Sequence, residues 1–169
     1  MTEPAEAVST LDQAERLLRL GAVRIEPTDA TSPDACTCLT NYADELRGRF
    51  PEGFADEDLI SPADTVLFLV ARESGTPVGC AALSQLDDDT CELRHLWVHS
   101  SARSIGLGRR LLTEVERHAA DQGFGRLRLG THKVLTEADN LYRSAGYHET
   151  KSYGGATHTH RWFTKQLGR

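Results

Sequence analysis

The sequence predicts a mixed α/β domain: a mostly antiparallel sheet containing one parallel pair, flanked by helices. Three observations lead there. Apolar runs over residues 65–72, 77–86 and 91–98 follow one another through two short polar turns, so they read as consecutive antiparallel strands. The third run feeds a helical pattern over Leu107–Asp121 and then a strand over 126–130, and two strands joined through a helix run parallel. Last, residues 147–151 and 159–165 flank Gly154-Gly155 and read as a closing hairpin.

Each element has a local cause. Residues 1–7 read as disordered. Ser9 is placed to cap a helix over 10–20, with Leu11, Ala14, Leu17 and Leu18 on one face. That helix belongs to an N-terminal extension, residues 1–21, which packs on the main domain, residues 22–169, or on a second copy of the chain. A first strand over 22–26 stops at Pro27. Ser32 caps the next helix, which has Pro33 at its first position and runs to Arg49 with Cys38, Leu39, Tyr42 and Leu46 on one stripe. A loop over 50–54 and a helical turn over 56–60 lead into the sheet. The tip Asp87-Asp88-Asp89 reads as a solvated turn. In Leu107–Asp121 the residues facing the sheet are Leu111, Leu112, Val115 and His118, and Gly123 ends the helix. Thr136–Ser144 is the last helix, ended by Gly146.

Composition bounds the function. The chain has 169 residues, enough for one domain with a full core. Its formal net charge is −6 and no basic run exceeds two residues, which argues against a nucleic-acid partner. No apolar stretch approaches a membrane span, and the acidic start MTEPAEAV lacks the order of a signal peptide, so the default location is the cytoplasm. Cys36, Cys38, Cys80 and Cys91 form no metal-binding spacing, and the last two sit in apolar strands, so all four read as reduced thiols. His158-x-His160 lacks a supporting carboxylate or thiol, and no metal is expected.

The segment with the most chemistry is Cys91 to Leu112, where a buried strand runs through a short polar loop into Arg103-Ser104-Ile105-Gly106-Leu107-Gly108-Arg109-Arg110. A glycine turn opening a helix can bind phosphate: the first-turn N–H groups are unpaired, the dipole favours an anion, and glycine admits close approach. The dinucleotide fingerprint fails, because Leu111 stands where its third small residue belongs. The P-loop fails for want of a Gly-Lys-Ser/Thr triplet. What is left is R-x-x-G-x-G after a strand, or an ordinary loop with two incidental glycines. A second segment, Ala138-x-x-Leu141-Tyr142-x-x-x-Gly146-Tyr147, follows downstream of the strand over 126–130.

Together the two segments resemble the acetyl-CoA pyrophosphate loop and the A-x-x-L-Y-x-x-x-G-[FY] helix of the GNAT superfamily of N-acetyltransferases. The resemblance spans about residues 23–167. Further stretches, Glu45-Leu46 with Arg49-Phe50-Pro51, Leu135 to Ala138 and Arg161 to Lys165, are similar to segments of small members whose substrates are mostly unassigned. The resemblance implies a sheet whose parallel pair splays to admit the pantetheine arm. It implies contacts to acetyl-CoA from Trp97 and Val98, and a pyrophosphate site on the amides of Ser104, Ile105, Gly106, Leu107, Gly108 and Arg109, with added charge from Arg103 and Arg109. Solvated surface arginines are the alternative for both, and for Arg110. It implies that Tyr142 stands near the CoA sulfur as an acid, its hydroxyl protonating or hydrogen-bonding the thiolate; a helix tyrosine packed in the core is the alternative. Two positions depart from the family pattern: Ile105 replaces a basic or polar residue, and Leu135 replaces an asparagine seven residues before Tyr142.

Transfer to an amine needs a neutral nucleophile, yet a free alkylamine has a pKa near ~10, so a base or a proton path is required. Glu92, six residues before Val98 in an apolar strand, is the candidate base, with an ion-paired strand glutamate as the alternative. His95 has the opposite strand parity and is expected on the other face of the sheet. The acceptor, a small-molecule or peptide amine, is expected between 42–54 and 152–160, lined by Tyr42, Glu45, Arg49, Phe50, Tyr153 and His158. The reading is thus a direct-transfer acetyl-CoA-dependent N-acetyltransferase, able to pair as a homodimer. The alternatives are a non-catalytic acyl-CoA-binding domain and a transferase using a longer acyl-CoA.

Overall fold

The computed structural model describes residues 3–154 and 158–168, with side chains described from residue 8 onward. Met1, Thr2 and Gly155 of the segments discussed above lie outside the described residues. The elements run α1 (Glu3–Ala22), β1 (Arg24–Pro27), α2 (Pro33–Arg49), β2 (Leu67–Glu73), β3 (Thr76–Gln85), β4 (Thr90–Val98), α3 (Leu107–Asp121), β5 (Arg126–Thr131), α4 (Thr136–Ser144), β6 (His148–Thr150) and β7 (Arg161–Gln166). One seven-stranded sheet holds the strands in the order β1-β2-β3-β4-β5-β7-β6. Every neighbouring pair is antiparallel except β4 with β5. The mixed α/β class and the single parallel pair are as the sequence predicts.

The start of the chain differs from its expected form. Helix α1 begins at Glu3, so residues 3–7 are helical and Ser9 lies inside the helix instead of capping it. Proline is tolerated in a first helical turn, and Pro4 is followed by the helix formers Ala5, Glu6 and Ala7, with acidic charge at the positive end of the dipole. The C-terminal turn of α1 is tied to the domain. Arg19 makes a two-pronged pair with Glu73 at 3.0 and 2.9 Å, and Arg110 donates to the carbonyls of Leu20 and Val23 at 2.6 and 2.7 Å. Arg110 is therefore a half-buried clasp on the end of α1, not a solvated surface arginine. Leu11, Leu17 and Leu18 stay exposed.

Other local departures have simple causes. Pro27 belongs to β1, opposite Leu69, because β1 is an edge strand and its missing N–H costs no ladder bond. The acidic tip is docked: Asp87 Oδ1 accepts the N–H groups of Asp89 and Thr90, and Asp89 accepts those of Gly125 and Arg126. Ala119, not His118, completes the buried stripe of α3 with Leu107, Leu111, Leu112 and Val115.

Two features of β4 shape everything that follows. Its pairing with β5 covers only Thr90, Cys91 and Glu92; beyond Glu92, β5 pairs with β7 while the end of β4 stands apart from it. The second feature is a bulge. Cys80 faces Trp97 while Ala82 faces Arg94, so one residue of β3 opposes two of β4, and His95 takes a left-handed φ of 56°. The extra residue exchanges the faces of the strand. Cys91 and Leu93 pack in the core beneath α3, whereas Trp97, at the same parity, packs in the core beneath α2 with Ala35, Cys38 and Phe68.

Candidate active site

The glycine turn is built as a concave backbone. Ser104 (φ 65°) and Gly106 (φ 90°) are both left-handed, and Gly106 caps α3. The first helical bond of α3 runs from Arg110 N–H to Gly106 O at 3.1 Å, so the amides of Leu107, Gly108 and Arg109 precede the ladder. Ile105 is buried in the core under the turn, which explains why an apolar residue stands there. A Cβ on Gly108 would lie 3.5 Å from Leu141 Cδ2 and 3.9 Å from Val98 Cγ2, so the glycine faces the gap between α4 and the end of β4. Arg103 donates to Val98 O at 3.0 Å and pairs with Glu45. Arg109 donates to Ser144 Oγ.

That gap is a cavity of about 500 Å³, lined among others by Trp97, Val98, Arg103, Ser104, Gly106, Leu107, Gly108, Arg109 and Tyr142. Its upper wall includes Glu45 and Arg49. Both residues were expected on the acceptor side, but α2 turns them towards the turn and α4, where Glu45 meets Arg103 and Arg49 makes a forked pair with Glu137.

A second cavity of about 350 Å³ adjoins the first and shares Tyr42, Leu46, Leu96, Leu135, Ala138 and Tyr142 with it. Around it stand Tyr42, Phe50, Tyr153 and His158, together with Glu92. Tyr142 thus stands at the junction. Its ring packs in the core against Tyr147 and Phe163, and burial raises its phenol pKa, so the hydroxyl keeps its proton. The place of Leu135 at the same junction gives the departure from the family asparagine a structural setting: an apolar wall shared by both cavities.

His95 corrects the parity argument. The bulge puts it on the same face as Glu92, lining the second cavity with its ring 4.8 Å from that of Tyr42. It is still a poor base. The Ile60 N–H donates to its Nε2 at 2.8 Å, which leaves the proton on Nδ1, and burial lowers its pKa to about 3. The consequence for stability has a definite sign. Between pH 6.5 and 3 the unfolded histidine binds a proton that the folded one does not, so stability is lost as pH falls through that window. From pH 6.5 to 5 the loss is on the order of 2 kcal/mol. Urea unfolding at pH 7 and pH 5 checks it: the wild-type midpoint falls, and His95→Gln shows a smaller fall. Equal falls would remove His95 as the cause.

Glu92 is half-buried, with Arg94 Nη1 at 3.4 Å. Arg94 Nη2 also donates to Asp58 O at 3.2 Å. The hydroxyl of Tyr153 is buried against the Glu92 carboxylate, and burial together with that carboxylate raises its pKa. His158 spans two carboxylates, with Nδ1 at 3.2 Å from Glu52 Oε1 and Nε2 at 3.0 Å from Asp58 Oδ2. His132 is buried, stacks on Phe50 at 4.0 Å, accepts from Val134 N–H at 3.1 Å and faces Glu52 at 2.8 Å. The Glu52 carboxyl is held down at about 2 by its own backbone N–H and by His158 and His132.

Sequence reasoning missed His132, Asp58 and Phe54 as members of this cavity wall. One available signal was the place of His132 just past the carboxyl end of β5, where ligand crevices open in α/β sheets. Among the described residues no group of three or more His, Cys, Asp or Glu side chains is arranged to hold a metal ion. No helix among them is long and apolar enough to cross a membrane.

Comparison with known proteins agrees with this architecture. The family model described as the acetyltransferase (GNAT) family matches residues 36–147. An IAA acetyltransferase of Azospirillum brasilense is 36% identical over 117 residues, covering 69% of this chain and 76% of that protein. Four further curated relatives are each matched over 55% of their own length or less. A GNAT-family acetyltransferase from Staphylococcus aureus superposes with a TM-score of 0.75 at 18% identity, covering 87% of this chain and 100% of that one. A GNAT-family acetyltransferase from Elizabethkingia anophelis, solved with acetyl-CoA bound, superposes with a TM-score of 0.66 at 20% identity, covering 86% and 99%.

Proposed function

The chain belongs to the GNAT acetyltransferase family, and on that premise we propose that it transfers the acetyl group of acetyl-CoA to a primary amine by direct attack. The observation that carries this reading is the parting of β4 from β5 beyond Glu92, with the opening ending at the glycine turn. A strand edge left without a partner offers backbone N–H and C=O groups to an extended amide-bearing arm. The amides of the turn and the first turn of α3 offer donors to a pyrophosphate. Trp97, Val98 and the stretch from Arg103 to Arg109 are the residues that would hold the cofactor. Ile105 contributes only its backbone, and the Arg103 and Arg109 side chains act as posts of the cavity wall through Glu45 and Ser144.

The second cavity receives the amine. Glu92 takes the ammonium proton, a role that its neighbour Arg94 leaves open on the other carboxylate oxygen. The freed nitrogen then bonds to the thioester carbonyl carbon, the C–S bond breaks, and the sulfur leaves with its electron pair. Tyr142, whose phenol is a weaker acid than a thiol, hydrogen-bonds the departing sulfur without giving up its proton; the surplus proton on the nitrogen passes to the thiolate, leaving the amide and the free thiol of CoA. No cysteine is needed as an acyl carrier: Cys38, Cys80 and Cys91 are buried and Cys36 is exposed at the start of α2, away from both cavities. The domain division at residue 22 and a cytoplasmic location belong to the same proposal.

Calorimetric titration with acetyl-CoA, followed by thiol release with amines, tests the reading; absence of acetyl-CoA binding overturns it. Within it, Tyr142→Phe is expected to lower kcat roughly tenfold while the dissociation constant for acetyl-CoA stays within about twofold. Unchanged kcat would return Tyr142 to core packing alone.

A further inference from the structure

Resting on that reading of the site, we infer that the acceptor is a primary amine on a flat aromatic body, with no carboxylate beside the amine. The argument starts from charge. Glu57, Asp58 and Glu92 face the acceptor cavity, and Glu52 stands behind it. The guanidinium in the wall is that of Arg94, which faces Glu92 at 3.4 Å and donates to Asp58 O at 3.2 Å. Most of the histidine nitrogens in and behind the wall are engaged as well. Both ring nitrogens of His158 meet carboxylates, those of His132 meet Glu52 and the Val134 amide, and His95 Nε2 is occupied by Ile60 N–H.

Among the described lining residues, then, three carboxylates face one guanidinium, and that guanidinium is already turned to Glu92 and the Asp58 carbonyl. An α-amino acid would bring a fourth carboxylate beside these three in a partly desolvated space, which is repulsive. An incoming ammonium is attracted by the same charges.

Shape supplies the second half. Tyr42, Phe54 and Phe50 form a continuous edge-to-face run, with ring centroids 5.9 Å apart for Tyr42–Phe54 and 6.1 Å for Phe50–Phe54. Phe54 is half-buried, so part of its ring faces the cavity. An aromatic surface of this kind favours a flat ring over a flexible alkyl chain. The buried Tyr153 hydroxyl lies against Glu92, so the two side chains mark one polar spot in an otherwise aromatic wall. An amine nitrogen placed there meets the hydroxyl and the base together. The cavity volume of about 350 Å³ accommodates a single ring on a short arm.

The test uses the full chain with acetyl-CoA and four acceptors: phenethylamine, L-phenylalanine, butylamine and L-aspartate, with kcat/KM read by thiol release. Phenethylamine is expected to exceed each of the others by about tenfold or more, the discrimination that an unpaired charge or an unfilled apolar pocket produces. Phe54→Ala is expected to cut the advantage over butylamine at least several-fold. Turnover of L-phenylalanine or L-aspartate equal to that of phenethylamine overturns the charge argument. Equal use of butylamine, or an unchanged ratio in Phe54→Ala, overturns the aromatic one. Tight acetyl-CoA binding with no turnover of any of the four overturns this inference and leaves the cofactor reading standing. Loss of acetyl-CoA binding in calorimetry overturns both.

Discussion

Gly108→Val is expected to weaken acetyl-CoA binding about 100-fold or more, equivalent to about 2.7 kcal/mol, in a protein that stays folded. The reasoning is steric and local. Gly108 lies in the first turn of α3, and no left-handed φ is recorded for it, so an L side chain is not strained there. Its Cβ would sit in ordinary contact with Leu141 and Val98, at 3.5 and 3.9 Å. The γ-methyl groups, however, would project into the gap where the backbone must be approached closely. Gly106 is a poorer probe, because its φ of 90° makes any side chain strained and mixes folding with binding. Circular dichroism shows that the variant is folded, and calorimetry reads the affinity. Wild-type affinity in the folded variant would defeat the placement of the pyrophosphate on this turn.

Glu92→Gln is expected to lower kcat about 100-fold with little change in acetyl-CoA affinity, the usual scale for loss of a general base. The amide keeps the size of the side chain but cannot take a proton. Its loss also frees Arg94, which would then be able to pair with an acceptor carboxylate. If the acceptor is a carboxylate-free amine, that freed cation does not rescue the rate. A kcat within about threefold of wild type would mean that the proton leaves by another route, and Asp58, another carboxylate in the same wall, would be the next residue to replace.

Much of the frame was legible in the chain because its causes are local. Ser32 and Pro33 open α2 where a cap and a first-position proline should, and the Ser32 hydroxyl accepts the Ala35 N–H at 3.2 Å. The glycine turn opens α3 at Leu107, and the apolar runs become β2, β3 and β4. The start of α1 is less legible, because Pro4 and its acidic neighbours look like a disordered start although each is compatible with a first helical turn. Glu45 and Arg49 line the cavity at the glycine turn, not the one lined by Phe50. Their chain position beside Tyr42 and Phe50 is plain, but which side of α2 faces which cavity depends on how α2 crosses the sheet.

The two motifs, their order and the elements that carry them sufficed to establish the family and the mixed sheet, since turn chemistry, capping and hydrophobic period act over a few residues. Strand parity did not suffice. A single extra residue at His95 reverses which face of β4 its side chains occupy, and that bulge exists only because β3 and β4 pair in one particular register. The same holds for the cavity wall. Glu52, Asp58, His132 and His158 lie up to 106 positions apart in the chain and meet only once the loop after α2, the end of β5 and the approach to β7 close on one another. Contacts between residues so distant are set by packing and by satisfying buried polar groups, which no short stretch of sequence encodes.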